Sequence, residues 1–362
     1  MTELSDQLSQ LKRNESKVTV ATLVNTRGTT PRKEGAKMLV GEGGRVLGSV
    51  TIGGCVDAQV IEESAEVLGT NAPRLLELNL GDEEAWEIGL TCGGTIEVFL
   101  EPVTLADKDD TTLVYYERAR VHAEQGGRAV IVTRLDAPHH GTKLLLLHDG
   151  GQEGTLGDSF LDQRFATEAR AAMAAGKSQT LFLENVRAFA EVFAPPSTLV
   201  VVGASHVAMP LTTLAKTLGF RTIVVDGRPR FATKERFPDV DDLRIGVPSE
   251  LVQQVPLIST TALVLVAHDY KYDLPVLKHA LGTPVGYIGL LGSTRRGAAI
   301  LNLLREDGVA EDALLRVRVP IGLDLGARSA PEIALSILAE ALAAHRNATG
   351  MPISEKVRRG LQ

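Results

Sequence analysis

The chain has 362 residues, 44% of them hydrophobic, with a formal charge of −7 and two cysteines. That is too long for one ordinary domain and enough for two hydrophobic cores. The same figures exclude a disulfide scaffold and fit a reducing compartment; no Lys/Arg run exceeds a pair, so there is no nucleic-acid footprint. No stretch of about 18 apolar residues offers a membrane span, and Met1–Lys17 has no apolar signal core, so the expected location is cytoplasmic.

In chain order, residues 4–14 carry the spacing of a short amphipathic helix (Leu4, Leu8, Leu11). Val18–Val24 reads as a strand, followed by the loop 25–35. Ala36–Val40 and Arg45–Val50 form a hairpin around Glu42-Gly43-Gly44. Next comes Gly48-Ser49-Val50-Thr51-Ile52-Gly53-Gly54-Cys55-Val56-Asp57, a strand end, a glycine turn and a helix start, with the helix over Val56–Leu68. Arg74–Leu80 and Thr95–Leu100 are strands, and between them Thr91-Cys92-Gly93-Gly94 holds the second cysteine beside a second glycine pair. A helix over 109–124, strands at 128–135, 142–148 and 179–184, and a helix over 158–175 complete the first half. His139-His140 lies in a Pro/Gly loop and reads as solvated. No internal repeat is visible.

Ala194-Pro195-Pro196-Ser197 is the predicted boundary, because paired prolines cannot sit in a central strand. Beyond it, Thr198–Val202, the helix Val207–Leu218 and Arg221–Val225 make a βαβ unit. Strands at 262–267 and 285–289 alternate with helices at 274–281, 295–307 and 331–345. This alternation predicts a parallel sheet covered on both faces.

Three places carry candidate chemistry. Gly-Gly lets backbone N–H groups approach a ligand, and a cysteine at a helix start has its thiolate favoured by the helix dipole; the competing reading is two small buried apolar residues in tight turns. Gly203-Ala204-Ser205-His206-Val207-Ala208 stands where a dinucleotide fingerprint would stand, with Asp226 placed for a ribose hydroxyl. There Ser205 replaces the second glycine, which argues against a pyrophosphate. Gly289-Leu290-Leu291-Gly292-Ser293-Thr294-Arg295-Arg296 is a third turn suited to an anion, with Ser293 or Thr294 as helix cap. His206 and His268 each follow an apolar strand at the edge where such sheets bind ligands. No Cys-x-x-Cys, His-Glu-x-x-His, Gly-x-Ser-x-Gly or Walker loop is present.

The ordered set Asn25-Thr26-Arg27-Gly28-Thr29-Thr30-Pro31, Gly35-Ala36-Lys37-Met38, Gly53-Gly54-Cys55-Val56-Asp57, Cys92-Gly93-Gly94, Asp226-Gly227-Arg228, Arg236-Phe237-Pro238, Gly289-Leu290-Leu291-Gly292-Ser293 and Pro320-Ile321-Gly322-Leu323-Asp324-Leu325-Gly326 resembles the xanthine dehydrogenase accessory protein family, XdhC/CoxI. The likeness spans roughly residues 18–345. It implies an α/β protein: a small N-terminal α/β domain (1–194), a C-terminal Rossmann-like doubly wound parallel sheet (195–346) and a flexible tail (347–362). It also implies a chaperone without turnover of its own. Such a protein binds molybdenum cofactor in the molybdopterin form and protects it while a terminal sulfido ligand is added. It then hands the cofactor to a xanthine dehydrogenase-like molybdoenzyme, with a cysteine desulfurase as sulfur donor. This chain departs from the family pattern at Ser205, where Gly-Ala-Gly-His-Val is usual, and at Gly227.

On this reading Cys55 and Cys92 meet the metal–sulfur end, facing a gap between the two halves. The N–H groups of Gly53–Gly54 and those near Gly292 are the candidates for the phosphate, with Arg27, Lys37 and Arg295 as candidate anion partners and Gly93 and Ser293 as further cofactor-binding positions; which turn holds which part stays open. Gly203, Ser205, His206 and Asp226 form the nucleotide-style edge. Two alternatives stay open: an NAD(P)-dependent oxidoreductase with His268 or His206 as acid/base, and a persulfide relay between the two thiols. A disulfide between them needs Cα atoms within about 7 Å. A homodimer would bury edge strands.

Overall fold

Pro195 and Pro196 stand where the chain divides, into Met1–Pro195 and Pro196–Gln362. The computed structural model describes residues 11, 15–28, 30, 32–51, 54–79, 94–267 and 269–360. The predicted N-terminal helix, apart from Leu11, lies outside them. Among the described residues no helix is long and apolar enough to cross a membrane.

The first unit opens with β1 (Lys17–Gly28), whose Val/Thr-rich stretch suits a pleated, buried strand. With β2 (Lys37–Gly41), β3 (Val46–Gly48), β4 (Arg74–Asn79) and β5 (Gly94–Thr104) it forms an antiparallel sheet ordered β3-β2-β1-β5-β4. Helix α1 (Cys55–Thr70) covers one face, its Val60 and Val67 packing with Leu23, Met38, Leu78 and Val98. Helix α2 (Thr111–Glu124) follows, capped by Asp110. A second antiparallel sheet then forms from β6 (Ala129–Arg134), β7 (Lys143–Leu147), β8 (Gln152–Gly154), β9 (Gln179–Leu183) and β10 (Val186–Phe193), ordered β8-β7-β6-β10-β9. Helix α3 (Ser159–Ala175) covers it through Phe165, Ala169 and Met173.

The two sheets have the same order, the same pairings and a helix at the same place in the chain, between third and fourth strands. The first unit is therefore a βββαββ module built twice, contrary to the absence of repeats in the sequence. Side chains obey the duplication. Lys37 begins β2, lies opposite Thr22 of β1 and donates to its hydroxyl at 2.8 Å. Lys143 begins β7, lies opposite Thr133 of β6 and donates to its hydroxyl at 3.2 Å. Each lysine crosses to the last strand of the other module: Lys37 to Glu191 at 3.0 Å and Lys143 to Glu101 at 2.7 Å. Glu97 and Arg187, at matching places in β5 and β10, pair with each other at 2.8 Å. Reciprocal contacts of this kind are the mark of a two-fold relation. Tyr116 of α2 donates to Glu191, and Thr112 of α2 donates to Glu101, so the linking helix seals both ends of the seam.

Besides the short β8, the strand β10 of this unit escapes the sequence reading. The turn joining it to β9 is Glu184-Asn185, with Glu184 at φ +55°. No glycine marks that left-handed turn, so the hairpin carries no breaker signal.

The second unit is a single parallel sheet of β11 (Thr198–Val202), β12 (Arg221–Asp226), β13 (Asp242–Ile245), β14 (Thr261–Leu265), β15 (Tyr287–Leu290) and β16 (Val317–Arg318). Its order is β13-β12-β11-β14-β15-β16, with every pair parallel. Strand residues alternate between two cores. Val201, Val224 and Val264 face α4 (Ala208–Thr217) and α9 (Ala330–His345). Val200, Ile223 and Leu263 face α5 (Pro248–Gln253), α6 (Tyr270–Leu281) and α7 (Thr294–Glu306). A short α8 (Glu311–Leu314) precedes β16, and α10 (Ile353–Arg358) forms within the segment expected to be a flexible tail. The strand order reverses between β11 and β14, which is where such sheets open a crevice for ligands at their carboxyl edge.

Candidate functional sites on two sheet edges

In the first module, register gathers the glycine turns. Gly28 lies opposite Gly94 and Arg27 opposite Thr95, while Asn79 also lies opposite Thr95. The ends of β1, β3 and β4, the starts of β2 and β5, and the start of α1 thus share one end of the sheet. Cys92, Gly93, Gly53 and His268 lie outside the described residues, and of Cys55 only the backbone is described, as the first residue of α1. The expected nearness of the two thiols therefore also falls outside the described residues.

Among the described residues nothing closes the α1 start: Gly54 caps it at φ +105° with no side-chain cap bond from them, and a Cβ placed there would meet none of them within 4 Å. Asp57 ties the turn down by accepting from the Ser49 hydroxyl and from Thr51 N at 3.2 Å. Arg32 donates to the Ser49 carbonyl, joining the 28–36 loop to the same turn. Arg27 is exposed and makes no ion pair among the described residues.

The second module shows what the same place looks like when closed. Asp162 ties its turn as Asp57 does, accepting from Leu156 N at 2.7 Å and the Thr155 hydroxyl at 2.8 Å. But Asp158 caps α3 by accepting from Phe160 N and Leu161 N, and the two-residue turn at 184–185 replaces the long 80–93 connection.

Lys37 departs from its expected role as an anion partner. Its ammonium is only 8% exposed and is already matched by Glu191. Burial, with Glu191 and Glu101 nearby, also lifts the Tyr116 hydroxyl well above its ordinary range, which keeps it a donor. Lys143 repeats the Lys37 arrangement in the closed module, so the arrangement belongs to the fold.

At the carboxyl edge of the parallel sheet, a small pocket is lined by Gly203, Asp226, Gly227, Arg228, Pro248, Ala267, Asp269 and Tyr272. Gly203 sits at φ +109°, and a Cβ there would lie 2.6 Å from the Ala267 backbone. Asp226 is 3% exposed. One oxygen accepts from Arg228 N and Nε at 2.7 and 2.9 Å; the other accepts from Ala204 N and from Arg228 Nη2 at 2.8 Å. Burial pushes this carboxyl up, but Arg228 and the two backbone donors outweigh it and hold it below its usual value. Its hydrogen-bonding capacity is filled from within, so the expected contact to a ribose hydroxyl is not available. Ser205 accepts from Ala208 N at 3.4 Å, placing its hydroxyl at the α4 start, where a pyrophosphate would sit. His206 is exposed in the turn before α4.

The third turn folds onto itself. Ser293 caps α7 by accepting from Arg296 N at 3.3 Å. Arg295 is exposed and has no ion pair among the described residues. Arg296, for which the sequence offers no role distinct from that of Arg295, lies across the turn: an added Cβ at Gly292 would come 2.9 Å from its Cδ. It pairs with the fully buried Asp273 and stacks on Tyr270 at 4.4 Å. Burial raises the Asp273 carboxyl to about 6, against the opposing pull of Arg296 and with some help from Asp269. The folded chain therefore holds a proton that the unfolded chain releases near pH 4. Stability from this group is present below about pH 4 and is lost as pH rises to about 6. Urea melts at pH 4.5 and 6.5 should show that downward slope in the wild type, and a shallower one in Asp273→Asn; equal slopes would contradict it.

Among the described residues no group of three or more His, Cys, Asp or Glu side chains is gathered to hold a metal.

Both units find counterparts among known proteins. Residues 11–79 match the XdhC and CoxI family, and residues 199–341 match the XdhC Rossmann domain. The chain belongs to the XdhC/CoxI family. Among relatives of this XdhC/CoxI chain, a probable xanthine dehydrogenase subunit of Bacillus subtilis (strain 168) is 27% identical over 92% of this chain and 94% of its own. The molybdenum cofactor insertion chaperone PaoD of Escherichia coli (strain K12) is 28% identical over 89% of this chain and 81% of its own. A crystal structure described as a xanthine dehydrogenase from Bacillus halodurans superposes with a TM-score of 0.77 at 26% identity, covering 94% of this chain and 95% of that one.

Proposed function

We propose that this XdhC/CoxI protein is a molybdenum cofactor-binding chaperone, without turnover of its own, that serves maturation of a xanthine dehydrogenase-like molybdoenzyme. The relative named as a molybdenum cofactor insertion chaperone and the relative named as a xanthine dehydrogenase subunit support the class of function. The observation that carries the site is the contrast between the modules: among the described residues, a glycine-started helix with no side-chain cap in the first, and a helix start sealed by Asp158 in the second.

The residues fit the cofactor's anionic end. The N–H groups of the first turn of α1, which has no side-chain cap among the described residues, favour a phosphate, and Arg27 supplies an exposed charge at the same sheet end. Cys55 is the first residue of α1. With Cys92 it forms the soft-ligand pair this reading assigns to the metal–sulfur end. Bound there, the cofactor supplies the dithiolene-held metal; the protein's part is to hold it and keep competing ligands away while a cysteine desulfurase provides sulfur.

Coexpression with cofactor supply, followed by oxidation and pterin fluorescence, tests the reading. The wild type should carry pterin, and a Cys55→Ser, Cys92→Ser double variant should carry at least severalfold less. Equal loading would remove the thiols from the mechanism. The competing NAD(P)-dependent reading is disfavoured by the filled Asp226 carboxylate and by Ser205. Protein supplied with NADH and small carbonyl compounds should accordingly show no oxidation of the NADH.

A further inference from the structure

The two features that bind a dinucleotide in related sheets are both occupied by the protein's own groups. Ser205 takes the N–H of Ala208, and Asp226 takes Ala204 N and Arg228. What the carboxyl edge offers instead lies on the segment after β12. Between Gly227 and Phe237 the sequence holds Arg228, Arg230, Lys234 and Arg236 against a single acid, Glu235, in a chain whose overall charge is −7.

Two of these arginines are fixed rather than waving in solvent. Arg228 is braced on Asp226 through Nε and Nη2, yet its side chain remains 48% exposed. Arg236 donates from Nη1 to the carbonyls of Ala204 and Phe231 at 3.0 and 2.7 Å, bridging the loop after β11 to the loop after β12. Between them stands Phe231, 46% exposed, with the Arg228 guanidinium 4.5 Å and the Arg236 guanidinium 5.5 Å from its ring centre. A large exposed aromatic held by two guanidiniums gives a flat apolar surface with charge at its rim. It adjoins the pocket, which Arg228 itself lines beside the side-chain-free Gly203 and Gly227.

The geometry points to Arg228, Phe231 and Arg236 as a docking rim for a phosphate- or diphosphate-bearing planar heterocycle at the carboxyl edge of the parallel sheet. A guanidinium whose one edge is held by a carboxylate keeps its other edge for a phosphate oxygen. Arg236, whose hydrogen bonds go to two carbonyls, keeps its full charge for the same group. The ring of the ligand lies against the guanidinium planes or the Phe231 edge. The chemistry is shared by a phosphorylated pterin and by a free nucleotide, and this assignment rests on the chaperone reading only for choosing the pterin as the ligand that matters.

Calorimetry with ADP and with inorganic pyrophosphate, on protein freed of pterin, reads the rim directly. Pterin content after coexpression reads the cofactor. In Arg228→Gln and Arg236→Gln, ADP affinity should fall at least tenfold, and salt should weaken wild-type binding more than that of either variant. Phe231→Ala should weaken ADP more than pyrophosphate, because only ADP has a ring to stack. Arg236→Lys, which keeps the charge and lets the loops close, guards against simple misfolding and should bind between the two extremes. Wild-type affinity for both probes in all four variants, or no binding of either probe by the wild type, would overturn the rim. The chaperone reading fails separately, if the wild type carries no pterin while ADP still binds through the rim. Pterin loss in the arginine variants assigns the rim to the cofactor; unchanged pterin with lost ADP binding assigns it to a free nucleotide.

Discussion

Replacing Lys143 by Met should lower the unfolding free energy of the first unit by about 3–5 kcal/mol, the range for removing one partner of a buried ion pair. The Lys143 and Glu101 side chains are 1% and 7% exposed, and their charges meet at 2.7 Å. Without the ammonium, Glu101 keeps, among the described residues, the Thr112 hydroxyl at 3.1 Å alone, too little for a buried carboxylate. The double variant Lys143→Met, Glu101→Leu should recover most of the loss, because a buried pair exchanged for apolar groups is often neutral. Urea titration of the three variants decides it; a single-variant cost below about 1 kcal/mol would mean the seam is wet. Lys37→Met should follow the same course with a smaller loss, since Glu191 retains the Tyr116 hydroxyl. Pterin content per folded molecule should not change in Lys37→Met, whereas a cofactor contact there would show as lost loading.

Gly203→Ala should destabilise the second unit by about 3 kcal/mol or more, from left-handed strain of about 1–3 kcal/mol and overpacking of similar size. The backbone at φ +109° disfavours any Cβ, and the atom would sit 2.6 Å from the main chain of Ala267, which cannot swing away. Gly227→Ala makes the useful contrast. Its new Cβ would meet the Tyr272 hydroxyl at 3.3 Å, the end of a side chain that can give, and the Gly246 carbonyl at an ordinary 3.5 Å, so its cost should stay near the ordinary surface value of about 0.5 kcal/mol. Comparable melting temperatures for the two variants would show that the β11 and β14 loops are not pressed together as described.

The parallel sheet is legible in the sequence because its strands are short apolar runs spaced by helical patterns, and the Pro195-Pro196 pair marks where it begins. The hairpins of the first module are legible from their glycine turns. The duplication is not. It is kept by backbone pairing and by a handful of reciprocal polar contacts, and these leave no periodic signature when Thr22 and Lys37 recur as Thr133 and Lys143 amid unrelated neighbours. Lys37 misleads for the same reason: a lysine beside a glycine loop looks like an anion ligand until Glu191, far along the chain, is seen to meet it. At the nucleotide-style edge the sequence marks Asp226 and Ser205 but not what fills them, since Arg228 and Ala208 act through geometry rather than spacing. Arg296 is hidden behind Arg295 because adjacent arginines on a helix start differ only in which way the turn faces them.

The twofold build of the first unit bears on stoichiometry. Two identical modules would offer two berths, one at each helix start. Here an aspartate stopper, Asp158, closes one of them, so the first unit should hold a single pterin at saturation, with the sealed half left as scaffold.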